Sequence, residues 1–309
     1  MNRNKRGFTL VELLVVVAII ALLIGLLLPA LAKANRAAKT LQDNSNLAQV
    51  HKGFLTYANT DSRGNLPIPG LISRASVPNV GFVPGQGAER QELNLTANLY
   101  SSMVAFKYIQ TDILYSPVEE NPVVKEMTNY NFQSYNPAAT TPTFWDPAFR
   151  ANIHLAADGN ANNVSNTSYS HLAIVGDRKK LYWSNKAGST RPVLGNRAPH
   201  NGAVNGDNYR LSYTLLFHDP LETWEGNVVY GDGHVTLEKS VIPDTVQYEC
   251  GNTPLRKDNI YAADFTASNQ CKGIQDADSW MGIFIGTNTQ GTIYTAGPER
   301  RTDGTPSTS

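Results

Sequence analysis

The longest apolar run in the chain lies close to its N-terminus. No charged residue occurs between Leu13 and Ala32. About 20 residues in a helix, rising 1.5 Å each, can cross the roughly 30 Å hydrocarbon core of a bilayer. Gly25 and Pro29 interrupt the run, and membrane helices tolerate both residue types. The pattern predicts a transmembrane helix over about residues 10–32.

An amphipathic pattern continues after this run. Lys39, Gln42, Asp43 and Gln49 alternate there with small or apolar residues at three- and four-residue steps, namely Ala34, Ala37, Ala38, Leu41, Ala48, Leu55 and Ala58. The first dense group of helix breakers is residues 61–69. We expect one helix of about 50 residues, from Phe8 to about Asn59, with its outer half packed on a globular head. The alternative is a short span, a loop and a separate helix over about 40–59.

The rest of the chain alternates short apolar segments with turns rich in Gly, Pro, Asn and Ser. Residues 93–115 predict a helix and a short strand, and 169–176, 211–217 and 280–286 predict strands. Residues 227–230 and 234–237 flank Gly231-Asp232-Gly233, which predicts a hairpin. The expected fold class is α+β: a long N-terminal helix packed on an antiparallel β-sheet head with long loops.

The charge distribution is uneven along the chain. The formal net charge of the 309 residues is +0. Residues 1–39 hold six basic residues and one acid, and the remaining 20 basic and 25 acidic residues give the rest a net charge of −5. A mildly acidic head has no electrostatic footprint for nucleic acid, so a nucleic acid partner is not expected.

Basic residues flank the apolar run on both sides. Arg3, Lys5 and Arg6 precede it, and the positive-inside rule then keeps the N-terminus cytoplasmic and the head outside. Three basic residues that follow the run weaken this argument: Lys33, Arg36 and Lys39. We give the first flank more weight because it usually decides orientation.

The start of the chain resembles a known processing site. Lys5-Arg6-Gly7-Phe8-Thr9-Leu10-Val11-Glu12, followed by an apolar helix, is similar to that of type IV pilins and type II secretion pseudopilins. The resemblance implies that a prepilin peptidase cuts after Gly7 and N-methylates Phe8. It divides the chain into a leader (1–7), an N-terminal helix (8–61) and a head (62–309). Pro29 falls where many of these proteins kink or locally unwind the helix.

Glu12 is the one acid in the apolar segment, and a carboxylate there is costly unless it is paired. Cleavage would create an α-amino group at Phe8, about one helical turn away. Glu12 could pair with the amine of its own chain or, as the resemblance favours, with that of a neighbouring subunit. The alternative is an unpaired acid at the membrane edge.

Two other interpretations of the segment leave Glu12 unexplained. One is a plain membrane anchor. The other is a secretory signal peptide cleaved after Ala30-Leu31-Ala32, although its apolar region is longer than the usual 7 to 15 residues.

The resemblance implies a structural, non-enzymatic function. The expected protein is a subunit of a type IV pilus-like or type II secretion pseudopilus filament. Its expected partners are the prepilin peptidase/methyltransferase, other pilin or pseudopilin subunits and the inner-membrane assembly platform. The subunit would be a single-pass inner-membrane protein with a periplasmic head before it enters a periplasmic or cell-surface filament. The alternative is a membrane-anchored or secreted binding protein, for example for carbohydrate.

A patchier resemblance concerns the His…Asp-Gly block near the end of some pilin-like proteins, in which nine residues separate the His from the Asp. Here His218 lies 13 residues before Asp232 and Gly233, so the spacing departs, and His200 is the other candidate. A metal or catalytic site would require His218, Asp219, Asp232 and His234 to converge. The simpler interpretation is a turn aspartate with exposed histidines.

Two further features of the head suggest stabilising links. Asp158, Asn160 and Asn162 alternate as in calcium loops but lack the remaining EF-hand ligands, so no cofactor is expected beyond a possible structural Ca²⁺, to which Asp276 and Asp278 could equally contribute. Cys250 and Cys271 could form a disulfide in an oxidising compartment, worth roughly 3 kcal/mol by the chain-entropy estimate. The alternative is two unpaired cysteines.

Overall fold

The computed structural model describes residues 9–74, 87–137, 139, 142–153, 164–218, 223–248, 254–263, 278–287 and 293–295. Its helices are α1 (Leu10–Ala58), α2 (Pro69–Ile72), α3 (Thr96–Ala105), α4 (Gly176–Tyr182) and α5 (Gly206–Arg210). Its strands are β1 (Tyr169–Leu172), β2 (Pro192–Asn196), β3 (Gly226–Tyr230), β4 (Val235–Glu238), β5 (Gln247–Tyr248), β6 (Arg256–Lys257), β7 (Met281–Gly282), β8 (Phe284–Thr287) and β9 (Ile293–Thr295). The predicted α+β class is confirmed.

α1 is a single helix of 49 residues, which corresponds to a length of about 73 Å. Pro29 lies inside it without ending it. The polar stretch 44–46 does not break it either, because Asn46 is buried against the head and donates from Nδ2 to the carbonyl oxygen of Tyr115 at 3.4 Å. The expectation of one long helix is confirmed over the described residues, and the loop near residue 40 is absent from them.

The helix face that packs on the head differs from the predicted stripe. Leu41 is 72% exposed, and Ala34, Ala37 and Ala38 are exposed as well. Alanines bury little area, so their spacing does not decide which face packs; larger side chains do. The buried positions begin at Asp43 and include two titratable residues, Asp43 and His51. In full they are Asp43, Asn46, Leu47, Val50, His51, Gly53, Phe54 and Ala58.

The central sheet has five strands in the order β4-β3-β2-β1-β7, and each neighbouring pair is antiparallel. The predicted hairpin is confirmed as β3 and β4, in which Val229 lies opposite Val235. Gly233 has φ +90°, a conformation that favours glycine, and its N–H donates to the carbonyl oxygen of Tyr230 at 2.8 Å. The hairpin turn therefore depends on the Asp-Gly sequence.

Both faces of the sheet are covered, so β3 is buried along its whole length. Val229 faces the core formed with α1 and α3, and Val228 and Tyr230 face a second core built mainly from loops. In the first core, the ring of Phe54 from α1 lies 6.1 Å from that of Tyr100 and 5.9 Å from that of Trp183. These aromatic contacts pack the outer half of α1 against the head.

The predicted strand over 211–217 is wrong. Residues Tyr213–Leu216 form a 3₁₀ helix, and the hydroxyl of Ser212 accepts the backbone N–H of Thr214 at 3.3 Å. A serine before an apolar segment can satisfy backbone groups locally, and this competes with strand pairing.

Three other element predictions need adjustment. Residues 93–115 form α3 and then a 3₁₀ turn at Asp112–Leu114 instead of a strand. β1 ends at Leu172, because α4 begins at Gly176, whose φ is +56°. The 280–286 segment is divided between β7 and β8, which pair with different strands.

We predict that Phe54→Ala lowers the free energy of unfolding by about 3–5 kcal/mol, because it leaves a cavity between two buried rings. Denaturant unfolding of the full chain in lipid nanodiscs, followed by tryptophan fluorescence, measures this change. Leu41→Ala on the same helix is the matched control and should change stability by less than about 0.5 kcal/mol, since its side chain is exposed. Equal effects of the two substitutions would contradict the assigned helix face.

Candidate functional site

The first half of α1 presents apolar side chains that touch nothing else in the described chain. Its large apolar residues from Leu10 to Leu31 are between 44% and 79% exposed. Among the described residues, α1 is one helix that is long and apolar enough to cross a membrane. Such a surface is unfavourable in water, and it is stable only where lipid or other apolar helices cover it.

The start of α1 is fixed by a reciprocal pair of side chains. Thr9 is the N-cap residue: its hydroxyl accepts the backbone N–H of Glu12 at 3.2 Å. Oε2 of Glu12 in turn accepts the backbone N–H of Thr9 and the hydroxyl of Thr9, both at 2.8 Å. This is a capping box, in which two backbone donors at the helix end are satisfied.

The capping box places the Glu12 carboxylate at the first turn of α1, four residues after Phe8. Gly7 and Phe8 lie outside the described residues, so a contact between Glu12 and an α-amino group at Phe8 stays a prediction. The geometry adds a second role that the sequence analysis missed, since Glu12 also holds the helix end. The Thr-x-x-Glu spacing of residues 9–12 was the available signal.

A buried carboxylate joins α1 to the head. Asp43 is 0% exposed. Its Oδ1 accepts hydrogen bonds from the hydroxyls of Ser116 and, at 3.0 Å, Tyr169, and its Oδ2 accepts from Nδ2 of Asn227 at 2.7 Å. Burial, with the neighbouring charge of Asp43, raises the pKa of Tyr169 well above its ordinary value, so the phenol keeps its proton and donates it.

His218 extends this network on the membrane side. Oδ1 of Asn196 accepts the backbone N–H of Asn227 at 2.7 Å, so the ring Nε2 of His218, 3.2 Å from the same oxygen, is the donor. In the neutral ring with its proton on Nε2, Nδ1 of His218 is an acceptor 3.0 Å from the hydroxyl of Thr40 in α1. That hydroxyl has one hydrogen, which the carbonyl oxygen of Arg36 at 3.1 Å also accepts. Burial lowers the pKa of His218, with Asp43 and Glu225 opposing, which favours this neutral form.

The hairpin turn contacts α1 at a second point. Gly233 lies over His51, so that a side-chain carbon added there would be 3.5 Å from Nδ1 of His51. Burial lowers the pKa of His51 to about 4, against the opposing charge of Asp232. Asp232 itself is nearly half exposed. Burial, the largest single contribution, raises the pKa of Asp232, but the hydrogen bonds and charge of His234 together outweigh it and lower this pKa.

His218 and the Asp232-Gly233 turn therefore approach different turns of the same helix. Thr40 and His51 are 11 residues apart, which corresponds to about 16 Å along α1. In the described part of the chain, no three His, Cys, Asp or Glu residues are grouped so that they could hold a metal ion. The arrangement is suited to docking a helix, with His218 and the Asp232-Gly233 turn at opposite ends of β3.

The other residues predicted as metal ligands either form an ion pair within the head or lie outside the described residues. Asp278 pairs with the guanidinium of Arg178, so its carboxylate is already neutralised. Asp258 beside it accepts the backbone N–H of Ser279 at 2.6 Å, and burial raises the pKa of Asp258 to about 7. Asp158, Asn160, Asn162, Asp219, Asp276, Cys250 and Cys271 lie outside the described residues, so the calcium and disulfide predictions stay predictions.

His171 is a core residue with no open coordination position. Its Nδ1 lies 2.8 Å from the carbonyl oxygen of Leu172 and must be the donor, so Nε2 accepts from the hydroxyl of Thr96 at 2.9 Å. Thr96 in turn accepts the backbone N–H of Phe284 at 2.7 Å. Burial lowers the pKa of His171 to about 4, which keeps the ring neutral.

We predict that Asp43→Asn lowers the free energy of unfolding by about 1–3 kcal/mol. In either amide orientation, the new NH₂ group faces a donor, from Asn227 on one side or from Ser116 and Tyr169 on the other. The double variant Asp43→Asn/Asn227→Asp restores a donor–acceptor pair and should recover part of the loss, limited by the carbonyl oxygen of Thr40, 3.3 Å from the side-chain nitrogen of Asn227. Strictly additive effects in this double-mutant cycle would contradict the direct bond.

One comparison with known proteins bears on this site. The family model of the prokaryotic N-terminal methylation motif matches residues 2–28, which include the capping box and most of the apolar run. No curated protein and no solved structure matches the chain. The match thus concerns the N-terminal segment alone, and it shows that the chain carries the signature of type IV pilins and pseudopilins.

Proposed function

We propose that the protein is a structural subunit of a type IV pilus-like or type II secretion pseudopilus filament. It is made as a prepilin, cleaved after Gly7 and N-methylated on Phe8 by a prepilin peptidase/methyltransferase. The methylation motif at residues 2–28 carries the proposal. The motif marks structural pilin-like subunits, so the reaction is performed on this chain, not by it.

The shape of α1 supports this proposal. The first half of α1 is apolar and is not buried against the described rest of the chain. Such a half suits a helix that moves from lipid into a bundle of similar helices. The outer half has the opposite character, because its buried face is fixed on the head through Asp43, His51 and Phe54. A filament subunit needs both: one end free to pack against neighbouring subunits, and one end that holds the head.

The orientation follows from the basic N-terminal flank. With the N-terminus in the cytoplasm, the head lies on the outer side of the inner membrane. After assembly by the inner-membrane platform, the heads face outward in a periplasmic or cell-surface filament. The size of the head, 248 residues from residue 62 to residue 309, favours a minor or specialised subunit or a lineage-specific pilin.

The N-terminus of the native chain tests this proposal. Intact mass and N-terminal peptide analysis of membrane and sheared-surface fractions should find a chain that begins at N-methyl-Phe8. A chain that begins at Lys33 would show a secreted soluble protein, and one that begins at Met1 would show an uncleaved anchor. Either of these two results would overturn the proposal.

We predict that the charge of Glu12 is needed for assembly beyond its capping role. Glu12→Gln keeps an acceptor for the N–H of Thr9 but removes the charge that would pair with a Phe8 amine. Glu12→Val removes both, and Thr9→Ala removes the threonine side of the cap. All three should insert into the membrane, but we expect filament yield to fall at least tenfold for both Glu12 variants and less than threefold for Thr9→Ala.

The comparison of these variants separates the two roles. Filament yield is measured by quantitative immunoblotting of sheared fractions, relative to the membrane pool. Normal filaments from Glu12→Gln together with a loss in Thr9→Ala would assign Glu12 to the helix cap alone and reject the pairing.

A further inference from the structure

A cavity of about 490 Å³ opens on the head beside the C-terminal end of α3. Its apolar floor includes Val104 and Ile109, and the rings of Tyr130 and Phe132 form part of its wall. None of the residues that line it belongs to the described strands. The residues that line the cavity include neither Asp43 and its hydrogen-bond partners nor any residue of α1.

The aromatic wall is exposed but held in place. Phe132 is 51% exposed, and its ring centroid lies 4.9 Å from that of Tyr130. The hydroxyl of Tyr130 donates to the carbonyl oxygen of Ser101 at 2.7 Å and accepts the backbone N–H of Asp146 at 3.1 Å. An exposed ring beside a fixed neighbour is a ready stacking surface for a ligand with an apolar face.

Polar side chains on the rim complete the cavity. Gln110, Thr128 and Asn129 line it, and these three side chains form no hydrogen bond to any other described residue. Amides and hydroxyls can both donate and accept, whereas the ammonium of Lys107 only donates. A ligand rich in hydroxyl groups, which also donate and accept, matches this set.

Lys107 occupies an unfavourable backbone position. It follows the last turn of α3 with φ +61°, and its N–H donates to the carbonyl oxygen of Val104 at 2.9 Å. Glycine or asparagine is usual at such a helix end. Apart from Asn201, Lys107 is the one non-glycine residue with positive φ in the described segments. Lys107 thus lines the cavity from a strained backbone position.

A second cavity lies next to the first one, and the two together are called the groove. A second cavity of about 460 Å³ shares Asn129 and is lined also by Lys125 and Arg150. Ile109 on the floor approaches α1 at Gly53, 21 residues beyond the apolar run that ends at Ala32. That separation is about 31 Å along the helix, which is beyond the headgroup layer of a bilayer.

We propose that this groove binds an oligosaccharide segment of an extracellular polymer. Sugar rings have C–H faces that stack on Phe132 and Tyr130, and their hydroxyls match Gln110, Asn129 and Lys107. The groove is too far from the membrane for a lipid headgroup. No described strand edge borders it, so an extended peptide could not add as a strand. The site is independent of whether the chain forms filaments, but an extracellular ligand rests on the outward orientation of the head proposed above.

Titration of the full chain with defined oligosaccharides tests the proposal. The protein is placed in lipid nanodiscs, because sugar-based detergents would compete for the site. Isothermal titration uses cellopentaose, chitopentaose, laminaripentaose and tetragalacturonate as probes. We expect at least one to bind with Kd of about 0.1–1 mM, within the range of weak specific binding. Phe132→Ala should weaken that binding at least tenfold.

Lys107→Gly separates binding from folding. Glycine relieves the strained backbone, so the melting temperature should rise by about 1–3 °C, while affinity falls at least threefold. Leu255→Ala removes another exposed apolar side chain that lines neither cavity and should leave binding unchanged. Absence of binding to all four probes at 10 mM, or binding that Phe132→Ala does not weaken, would overturn the proposal. Selection of a peptide from a display library at this groove, without saccharide binding, would overturn it as well.

Discussion

A carboxylate buried inside a protein is costly unless hydrogen-bond donors compensate its charge, and Asp43 has such donors where α1 packs on the head. Its three side-chain donors come from three separate parts of the chain: the loop at Ser116, strand β1 at Tyr169 and strand β3 at Asn227. The sheet can therefore approach α1 in one register only. A slide by one helical turn would leave the charge and its donors unpaired at once.

The same helix serves two environments, and the transition between them is sharp. Up to Leu41 the apolar side chains are exposed, and from Asp43 onward a polar and aromatic face is buried. Several polar contacts hold the outer half, among them His218 at Thr40, the hydrogen bonds of Asp43, and the hairpin turn at His51. The Phe54 cluster fills the space beyond them with apolar area. Polar contacts thus fix the register, and apolar contacts supply most of the stabilisation.

Elements that are marked by a regular hydrophobic pattern or by a characteristic turn could be predicted from the sequence. The apolar run gave α1 and the Asp-Gly turn gave the β3–β4 hairpin, because each depends on neighbouring residues. The buried face of α1 could not be predicted in the same way. Asp43 and His51 look like solvated positions in a helical pattern, and only partners more than 70 residues away make them core residues. Ser212 shows the opposite case, in which one local hydrogen bond turned an apolar segment into a 3₁₀ helix.

The hydrogen-bond partners of Asp43 also become available in a fixed order as the chain is synthesised. Asp43 is synthesised before all of its partners, and Asn227 follows it by 184 residues. Until β3 has been made, Asp43 lacks the donor from Asn227, and α1 is not fixed on the head. Contacts of such long sequence separation form late in folding. A chain that ends before β3 therefore has an undocked α1, and all donors of Asp43 are in place only when the sheet is complete.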